Sequence, residues 1–357
     1  MASGNPDKPV VLITGSSGLI GSRVSAALVA RYEVVGIDLK PPPAGDSHAA
    51  FVECDLTETE SVAAALRQVR NQHGSRLASV VHLAAYYDFK GEPSLLYDDL
   101  TVEGTRRLLT ALQEFHVEQF IFSSSLLVME PVDEGEKVTE TSPVEGAWDY
   151  PESKLEAERV IRETRGDIPA VILRLAGVYD EDGHSVPIGQ QMSRIHQKQF
   201  ESYFFPGDAD HGQAFIHLDD LVDAFVQTIE RREQLADYEV LLIAEPDVMS
   251  YAELQDRIGQ VLHGKAWPTI RIPKVVAKAG AWVQDKLASE DDPTFIKPWM
   301  VGLADQHYPV AIDRARQQLD WTPKHRLRDA IDEMARRLKS DPVAWYRENG
   351  LPPPDES

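Results

Sequence analysis

Cysteine and long apolar segments are scarce in this sequence. The only cysteine among the 357 residues is Cys54, so the chain cannot form an internal disulfide, and a lone thiol is typical of a reducing compartment. No segment approaches the roughly 18 consecutive apolar residues that a membrane-spanning helix requires. The opening MASGNPDKPV lacks the basic and apolar regions of a secretory signal. These features predict a soluble, cytoplasmic protein.

Positive charge is also scarce. The chain has 36 Lys and Arg against 58 Asp and Glu, which gives a formal net charge of -22. Such an acidic chain repels the phosphate backbone of nucleic acids and the anionic surface of a membrane. We therefore expect no nucleic-acid partner and no membrane partner, and we expect a small-molecule substrate.

Apolar segments alternate with amphipathic ones along the first half of the chain. Near-continuous apolar or β-branched segments predict strands at residues 10–14, 33–38, 79–85, 119–124 and 170–176. Apolar residues at helical spacing predict helices between them, at residues 19–31, 58–73, 94–115 and 152–164. Nearly continuous apolar strands separated by helices are typical of a parallel sheet covered on both faces. The pattern therefore predicts an α/β fold with a doubly wound parallel sheet, the Rossmann arrangement.

The length allows one large unit and one smaller one. We expect the doubly wound domain at residues 8–176 and a smaller, mixed and helix-rich lobe on the substrate side at residues 177–350. A return of the chain to the core sheet around residues 215–245 is compatible with this division. In the second half, SYAE at Ser250 predicts a capping box at the start of a helix.

Three glycines follow the first predicted strand, in VVLITGSSGLIGSRV. Gly15 would turn the chain out of the strand, Gly18 would let the backbone approach a pyrophosphate, and Gly21 would let the next helix pack on the sheet. The N-terminus of that helix would then direct free N–H groups at the phosphates. The spacing predicts a dinucleotide-binding loop, although glycine-rich turns without a ligand also show it.

Two aspartates follow the next strands. Asp38 ends the second strand about 20 residues after the glycines, where a carboxylate can bind ribose hydroxyls and repel a 2′-phosphate. This position favours NAD over NADP as the cofactor. Asp55 follows the next short strand, where it could reach the adenine side of the cofactor or serve as an ordinary helix N-cap. Both interpretations of Asp55 stay open.

The segments SSSLLVME and YPESK carry the side chains for chemistry. Pro151 suits the first turn of a helix, so Tyr150 should lie at the helix start with Lys154 one turn further in. An isolated phenol has a pKa of about 10, and a nearby ammonium favours the phenolate. A serine at the end of a neighbouring strand could hold the substrate oxygen while hydride moves to or from a nicotinamide. A solvent-exposed Tyr and Lys pair on a helix would show the same spacing. The dinucleotide loop and the serine-bearing strand upstream favour the catalytic interpretation over this one. We expect no metal site.

The sequence resembles the extended short-chain dehydrogenase/reductase family, also called the NAD-dependent epimerase/dehydratase family, roughly from Val10 to Pro323. The resemblance is carried by TGSSGLIG, DLT at Asp55, HLAA at His82, VEGT at Val102, FIFSSS at Phe120, YPESK, FIHLDDLVDAF at Phe215 and LDWTP at Leu319. These motifs are specific for the family and say little about the substrate.

The resemblance implies a role for each catalytic residue. Tyr150 would be the acid/base, Lys154 would bind the nicotinamide ribose and lower the pKa of the tyrosine, and Ser125, the third serine of its triplet, would hold the substrate oxygen. The expected NAD-binding residues are Gly15, Ser17, Gly18, Leu19, Ile20, Gly21, Asp38, Leu39, Asp55, Leu56, Leu83, Ala84, Ala85, Tyr150 and Lys154. The resemblance also implies a homodimer that pairs the helices at residues 94–115 and 152–164, and Leu95, Leu96, Leu108, Leu109 and Leu112 favour such a contact.

Several positions depart from the family pattern. Family dehydratases place an Asp-Glu pair where this chain has Leu126 and Leu127, so dehydration lacks its acid and base. Members that act on nucleotide sugars tend to carry an Asn where this chain has Gly177 and an Arg where it has Gln213. Both changes remove donors for a diphosphate. These departures disfavour a nucleotide-sugar substrate.

Aromatic residues are found where those donors are missing, at Tyr86, Tyr87 and Phe89 and at residues 203–205. Core packing explains these aromatic residues as well as substrate binding does. If they bind the substrate, the substrate is largely apolar. We therefore expect an NAD-dependent oxidoreductase that interconverts an alcohol and a ketone or aldehyde. The alternatives are a sugar-nucleotide 4-epimerase that uses the same three side chains, and a non-catalytic NAD-binding regulator.

Overall fold

The computed structural model describes residues 8–43, 49–88, 92–279 and 298–352. Phe89, one of the aromatic residues expected near the substrate, lies outside the described residues. Within the described part of the chain, no helix is both long enough and apolar enough to cross a lipid bilayer.

A parallel sheet forms the centre of the molecule. The strands of the described residues are β1 (Val10–Thr14), β2 (Glu33–Asp38), β3 (Ala50–Glu53), β4 (Arg76–Leu77), β5 (Ser79–His82), β6 (His116–Val117), β7 (Phe120–Ser125), β8 (Ala170–Leu175), β9 (Gly177–Tyr179), β10 (Phe204–Pro206), β11 (Phe215–His217), β12 (Tyr238–Ile243) and β13 (Ile270–Ile272). Seven of them form one sheet in the order β12-β8-β7-β5-β1-β2-β3, and every neighbouring pair is parallel. The doubly wound fold predicted from the sequence is confirmed.

Helices cover both faces of this sheet. The α-helices of the described residues are α1 (Leu19–Leu28), α2 (Thr59–His73), α3 (Glu103–Leu112), α4 (Asp149–Thr164), α5 (Val186–His196), α6 (Leu218–Glu230), α7 (Tyr251–His263), α8 (Pro298–Leu303), α9 (Asp313–Leu319), α10 (Leu327–Ser340) and α11 (Pro342–Glu348). On one face α1 packs beside α6, and on the other α3 packs between α2 and α4. The direction of winding reverses beside β1, since β2 and β3 lie on one side of it and β5 lies on the other. Ligands of such sheets bind at this reversal, outside the carboxyl ends of the strands.

The inner strands of the sheet contribute to two hydrophobic cores. In β1, Val11 and Ile13 join the core that contains α1 and α6, whereas Val10 and Leu12 join the core that contains α2, α3 and α4. Burial on both faces explains why these strands have nearly continuous apolar sequences. A third core joins α5, α7, α10 and α11 into a lobe beside the sheet. Ser250 caps α7 by accepting from the N–H of Glu253 at 3.1 Å, as the SYAE pattern predicts.

The chain returns from the lobe to the sheet. β12 pairs with β8 along six residues from Tyr238 to Ile243, although it follows α5 of the lobe. Later residues, including Val310 and Trp321, pack into the core on the α1 and α6 face. The lobe is consequently built from residues on both sides of β12, and the division of the chain into two domains at residue 176 stays a prediction.

Two predicted elements differ from the structure. The strand predicted at residues 79–85 ends at His82, and beyond it the N–H of Tyr86 donates to Oγ1 of Thr101 at 3.0 Å instead of to a strand. The single helix predicted at residues 94–115 is a π-helix, Tyr97–Val102, followed by α3. Arg107 donates to the carbonyl of Asp99 within the π-helix at 2.8 Å. Such helices frequently occur at functional sites, where the backbone departs from regular spacing.

The leucines that favoured a dimer contact fall into two groups. Leu108, Leu109 and Leu112 pack against the chain's own sheet and are fully buried, so they are not available to a partner. Leu95 and Leu96 are 89% and 40% exposed. The homodimer stays a prediction, and only the exposed pair supports it.

Trp321 joins the C-terminal segment to the sheet-side core. Its side chain is 2% exposed, and its indole N–H donates to the carbonyl of Asp220 on α6 at 3.0 Å. The Asp220 carboxylate accepts the N–H groups of Lys324 and His325, each at 2.8 Å. These contacts tie α6 to the chain that leads into α10.

We predict that Trp321→Ala lowers the free energy of unfolding by about 3–5 kcal/mol, because it leaves a large cavity and removes the hydrogen bond from the indole to α6. Trp321→Phe retains most of the ring volume and should cost less. Val343→Ala, at a side chain that is 68% exposed, should stay within about 0.5 kcal/mol. Urea unfolding followed by circular dichroism measures all three, and a loss below about 1 kcal/mol for Trp321→Ala would contradict this packing role.

Candidate active site

A large cavity opens between the carboxyl ends of the central strands and the lobe. Its volume is about 670 Å³, within the range of small-molecule sites. Gly15 and Gly18 line one part of it, Ser125, Tyr150 and Lys154 line the middle, and side chains of α5 and α7 line the lobe side. One cavity therefore joins the predicted cofactor loop, the predicted catalytic residues and the lobe.

The glycine loop has the geometry of a phosphate-binding turn. Gly15 adopts a φ of +68°, in the left-handed region that favours glycine. A Cβ at Gly21 would lie only 2.1 Å from the carbonyl oxygen of Gly15, so α1 can pack this closely only with glycine there. A Cβ at Gly18 would meet a single neighbouring atom, at 3.4 Å. The backbone at the start of α1 is thus open to the cavity, with its free N–H groups beside it.

The two predicted cofactor aspartates lie at the carboxyl ends of β2 and β3. The Asp38 carboxylate accepts from the N–H of Ser17 in the glycine loop at 3.0 Å and from its neighbour Leu39 at 2.7 Å. One oxygen of Asp55 accepts from the N–H and the hydroxyl of Thr57, at 2.9 and 2.6 Å. Asp38 is therefore attached to the phosphate loop, whereas Asp55 stabilises the turn before α2. The N-cap of α2 is Glu58, so the N-cap interpretation of Asp55 is wrong.

The structure divides the predicted cofactor residues into two sets. The set that lines the cavity is Gly15, Gly18, Leu19, Ile20, Gly21, Leu83, Ala85, Tyr150 and Lys154. The set outside its lining is Ser17, Asp38, Leu39, Asp55, Leu56 and Ala84. The first set surrounds the reversal point of the sheet beside β1 and β5. Asp38 and Ser17, from the second set, continue from the glycine loop toward β2, the direction expected for the adenosine half of a dinucleotide.

Tyr150, Lys154 and Ser125 meet at the middle of the cavity. Helix α4 begins at Asp149, so Tyr150 lies in its first turn and Lys154 one turn further in. The hydroxyl of Ser125, at the end of β7, lies close enough to the Tyr150 phenol to lower its pKa, and it accepts from the N–H of Leu127 at 3.2 Å. The Lys154 ammonium donates to the carbonyl of Ser123 at 2.8 Å and lies 5.9 Å from the centre of the Tyr150 ring.

Burial dominates the acid–base properties of this group. It raises the pKa of Tyr150 to about 12, and the hydrogen bond from Ser125 acts in the opposite direction. It lowers the pKa of the Lys154 ammonium to about 7, while the negative charge of Glu158 acts to raise it. At neutral pH the phenol is protonated, and the charged form of Lys154 or the positive ring of a bound cofactor would favour its ionisation.

A buried ion pair lies behind Lys154, one helical turn along α4. Arg174 of β8 donates to both carboxylate oxygens of Glu158, at 3.0 and 2.8 Å, and both side chains are 6% exposed. Ser124 also hydrogen bonds to this carboxylate, at 2.5 Å. Such a bidentate pair fixes the orientation of both partners and holds a negative charge close to the lysine. This pair was not predicted, because nothing in the local sequence pattern pairs a residue of α4 with one of β8.

Aromatic rings surround the tyrosine. The rings of Tyr87 and Trp148 have their centres 4.8 and 5.5 Å from that of Tyr150, and Trp299 packs on Trp148 at 5.0 Å. All four line the cavity, as do Phe204 and Phe205. Tyr86 and Tyr203, also expected there, pack instead against Tyr97 and Trp267.

The positions that depart from the family pattern also line the cavity. Leu126, Leu127, Gly177 and Gln213 are all part of its wall. A Cβ on Gly177 would lie 2.8 Å from the ring of Phe215, so this ring fills the space that a longer side chain would need. At Gly177 the wall is therefore apolar where family members that act on nucleotide sugars tend to carry an amide side chain.

Several polar cavity residues were not expected from the sequence. Helix α5 contributes Gln191 and Arg194, the following segment contributes Glu201, and α7 contributes Gln255. His184 also lines the cavity, and its ion pair with Asp180, at 2.6 Å, raises its pKa. Their helical spacing was visible in the sequence, but which helix face meets the cavity depends on how the lobe folds back on the sheet.

Known proteins are similar to this chain at moderate identity. N-acetyl-alpha-D-glucosaminyl-diphospho-ditrans,octacis-undecaprenol 4-epimerase from Escherichia coli O157:H7 is 24% identical over 282 residues, 78% of this chain and 80% of that protein. Human (Homo sapiens) 3 beta-hydroxysteroid dehydrogenase type 7 is 27% identical over 239 residues, 60% of this chain and 62% of that protein. The crystal structure of UDP-glucuronic acid 4-epimerase from Bacillus cereus, in complex with UDP-glucuronic acid and NAD, superposes with a TM-score of 0.67 at 21% identity and covers 93% of this chain and 99% of that one.

The family assignment rests on a longer match. The model of the NAD dependent epimerase/dehydratase family matches residues 11–244, from β1 to the end of β12. This span is more than half of the chain and contains the glycine loop, Ser125, Tyr150 and Lys154. The chain therefore belongs to the NAD-dependent epimerase/dehydratase family, the extended short-chain dehydrogenases/reductases.

Proposed function

We propose that this protein is an NAD-dependent oxidoreductase that interconverts an alcohol and a ketone or aldehyde on a largely apolar substrate. The observation that supports it most directly is the convergence of Ser125, Tyr150 and Lys154 with the glycine loop in one cavity. Hydride and proton transfer need only a dinucleotide, an acid/base and a group that holds the substrate oxygen. The chain has a loop for the dinucleotide, Tyr150 as the acid/base and Ser125 to hold the substrate oxygen.

NAD fits the residues of the cavity. The open backbone at Gly18 can receive the pyrophosphate, and the Asp38 carboxylate beside Ser17 is placed for ribose hydroxyls. Lys154 would bind the nicotinamide ribose, and Leu83 and Ala85 would line the ring's side of the cavity. When bound, the nicotinamide supplies or accepts the hydride.

The protein's own side chains manage the proton. Tyr150 gives its phenolic proton to the substrate oxygen during reduction and takes it back during oxidation, and Ser125 holds that oxygen beside the phenol. Lys154 adds positive charge close to the ring and so favours the phenolate. The negative charge of Glu158 favours the charged form of that lysine and offsets part of the effect of burial.

The wall of the cavity supports an apolar substrate. Trp148, Phe204 and Phe215 line it, and the Phe215 ring closes the space beside Gly177. The similarity to a 3 beta-hydroxysteroid dehydrogenase is consistent with such a substrate. Leu126 and Leu127 lack the acid and base that dehydration needs, so dehydratase chemistry is disfavoured.

A sugar 4-epimerase is the second candidate. It would use the same Tyr150, Lys154 and Ser125 and return the hydride to the same substrate, as the similarity to an undecaprenol-linked sugar 4-epimerase suggests. Tightly retained NAD and turnover of such a sugar without added cofactor would favour it. A non-catalytic NAD-binding regulator would not need this complete set of catalytic side chains. A homodimer and a cytoplasmic location stay part of the proposal.

Our first functional prediction concerns the cofactor. The unmodified protein should bind NAD at least about tenfold more tightly than NADP, because the Asp38 charge opposes the extra phosphate. Asp38→Ala should relax this preference. Asp38→Asn is the matched control, since it can still accept from the Ser17 N–H but carries no charge, and it should relax the preference as well. Calorimetric titration measures all three, and equal binding of both cofactors by the unmodified protein would refute this role.

Our second prediction concerns the acid/base. Tyr150→Phe should remove nearly all turnover and leave NAD affinity close to unchanged, because the phenol acts on the substrate proton. Lys154→Met should reduce both, and Ser125→Ala should cost on the order of 10²-fold in turnover, as for loss of one positioned donor. Tyr86→Phe is the control, since this ring lies outside the cavity lining. Retention of a tenth or more of the rate by Tyr150→Phe would overturn the assignment.

The same group predicts a pH dependence. Because the pKa of Tyr150 is raised to about 12, the phenolate fraction increases with pH across the neutral and mildly alkaline range. Oxidation of the alcohol needs the phenolate and should therefore accelerate with pH, whereas reduction needs the phenol and should not. Initial rates in both directions test this, and an oxidation rate that falls with increasing pH would contradict it.

A further inference from the structure

The lobe side of the cavity changes from apolar to polar along α5. Pro187, Gln191 and Arg194 line the cavity at positions four and seven residues apart, which places them on one face of the helix. This face is about 10 Å long. Its start, with Val186 and Pro187, is apolar, and its end carries an amide and a guanidinium. The face of α5 that lines the cavity therefore changes from an apolar start to a polar end.

The orientation of Gln191 is fixed by Arg194. Its Oε1 accepts from Nη2 of Arg194 at 2.7 Å. Because a guanidinium only donates, the amide oxygen must face it, and the amide NH₂ must face the other way. That Nε2 is buried and makes no hydrogen bond within the described residues. A buried donor without a partner in a native protein calls for an explanation, and a bound ligand is one.

The charge of this end favours an electron-rich partner. Burial lowers the pKa of Arg194 to about 10, so the guanidinium remains positive at neutral pH, and Glu201 acts in the opposite direction. Glu201 also lines the cavity and offsets part of the positive charge. Arg194 and the Nε2 of Gln191 supply only donors, so the complementary group is a hydrogen-bond acceptor.

We infer that Gln191 and Arg194 form a subsite for a second oxygen-bearing group of the substrate, a carbonyl or carboxylate carried on the apolar skeleton. The reacting oxygen would lie at Tyr150 on α4 and the second oxygen at the polar end of α5. The inference rests on the proposed function in one respect, that the lobe side of the cavity holds the substrate. It narrows the substrate class to apolar molecules with two oxygen functions.

A matched pair of fluorescent probes tests this subsite without turnover. Anilinonaphthalene sulfonate carries oxygen acceptors on an apolar ring system, and phenylnaphthylamine has the same rings without the sulfonate. Both are titrated into protein saturated with NAD, so that the cofactor region is filled. Gln191→Leu removes the unpaired donor at similar volume, and Gln190→Leu, on the same helix outside the cavity lining, is the control.

Gln191→Leu should weaken binding of the sulfonate probe by at least about tenfold and leave the uncharged probe within about twofold, since only the first carries an acceptor. Arg194→Met should act in the same direction, and Gln190→Leu should change neither. Circular dichroism and NAD affinity show whether each variant is folded. Equal loss of both probes, no loss of either, or failure of both probes to bind the unmodified protein would overturn the subsite. A lack of alcohol oxidation by the unmodified protein would refute the proposed function and leave this binding result intact.

Discussion

The buried charge of Lys154 is the constraint on which the site depends. An ammonium that is 3% exposed must be compensated, and here a carbonyl of β7, the face of Phe122 at 4.9 Å and the negative charge of Glu158 provide part of that compensation. Arg174 in turn donates a hydrogen bond to each of the two carboxylate oxygens of Glu158. Breaking such a pair leaves an uncompensated charge, so the lysine, the helix that carries it and two neighbouring strands have to be positioned together. The tyrosine one turn away then occupies a fixed place beside Ser125.

The fold supplies that position at the point where the sheet reverses direction. The loop after β1 and the irregular segment after β5 separate there because their helices leave to opposite faces, and this opens the cavity beside Gly15 and Leu83. β7, which is separated from β1 by β5, ends in Ser125, and α4 packs against β7. A cofactor bound along the glycine loop and a substrate held by the lobe would therefore meet at the phenol of Tyr150, with aromatic side chains of the wall limiting access of water.

Local patterns predicted much of this arrangement, and long-range contacts account for the rest. Near-continuous apolar segments predicted the sheet because both of its faces are buried, and the spacing of Tyr150 and Lys154 placed both on one helix. The end of β5 at His82 was not predicted, because the N–H of Tyr86 beyond it bonds to Thr101 in a different segment of the chain. The Glu158–Arg174 pair and the cavity face of α5 were missed for the same reason, since neither leaves a periodic signal. Leu108 and its neighbours were assigned to a partner because the sequence does not show how much of α3 the sheet itself covers.

In the proposed reaction, this cavity transfers hydride between a nicotinamide and a carbon of an apolar substrate that is then released. Transfer of isotope tests it most directly. The protein is incubated with NADH deuterated at the transferable position and, in parallel, with apolar ketones and with UDP-linked sugars, and the products are analysed by mass spectrometry. We predict one deuterium on the carbinol carbon of a released apolar alcohol, with an equal amount of NADH oxidised. Inversion of a sugar with no net oxidation of NADH, together with unlabelled apolar products, would contradict it.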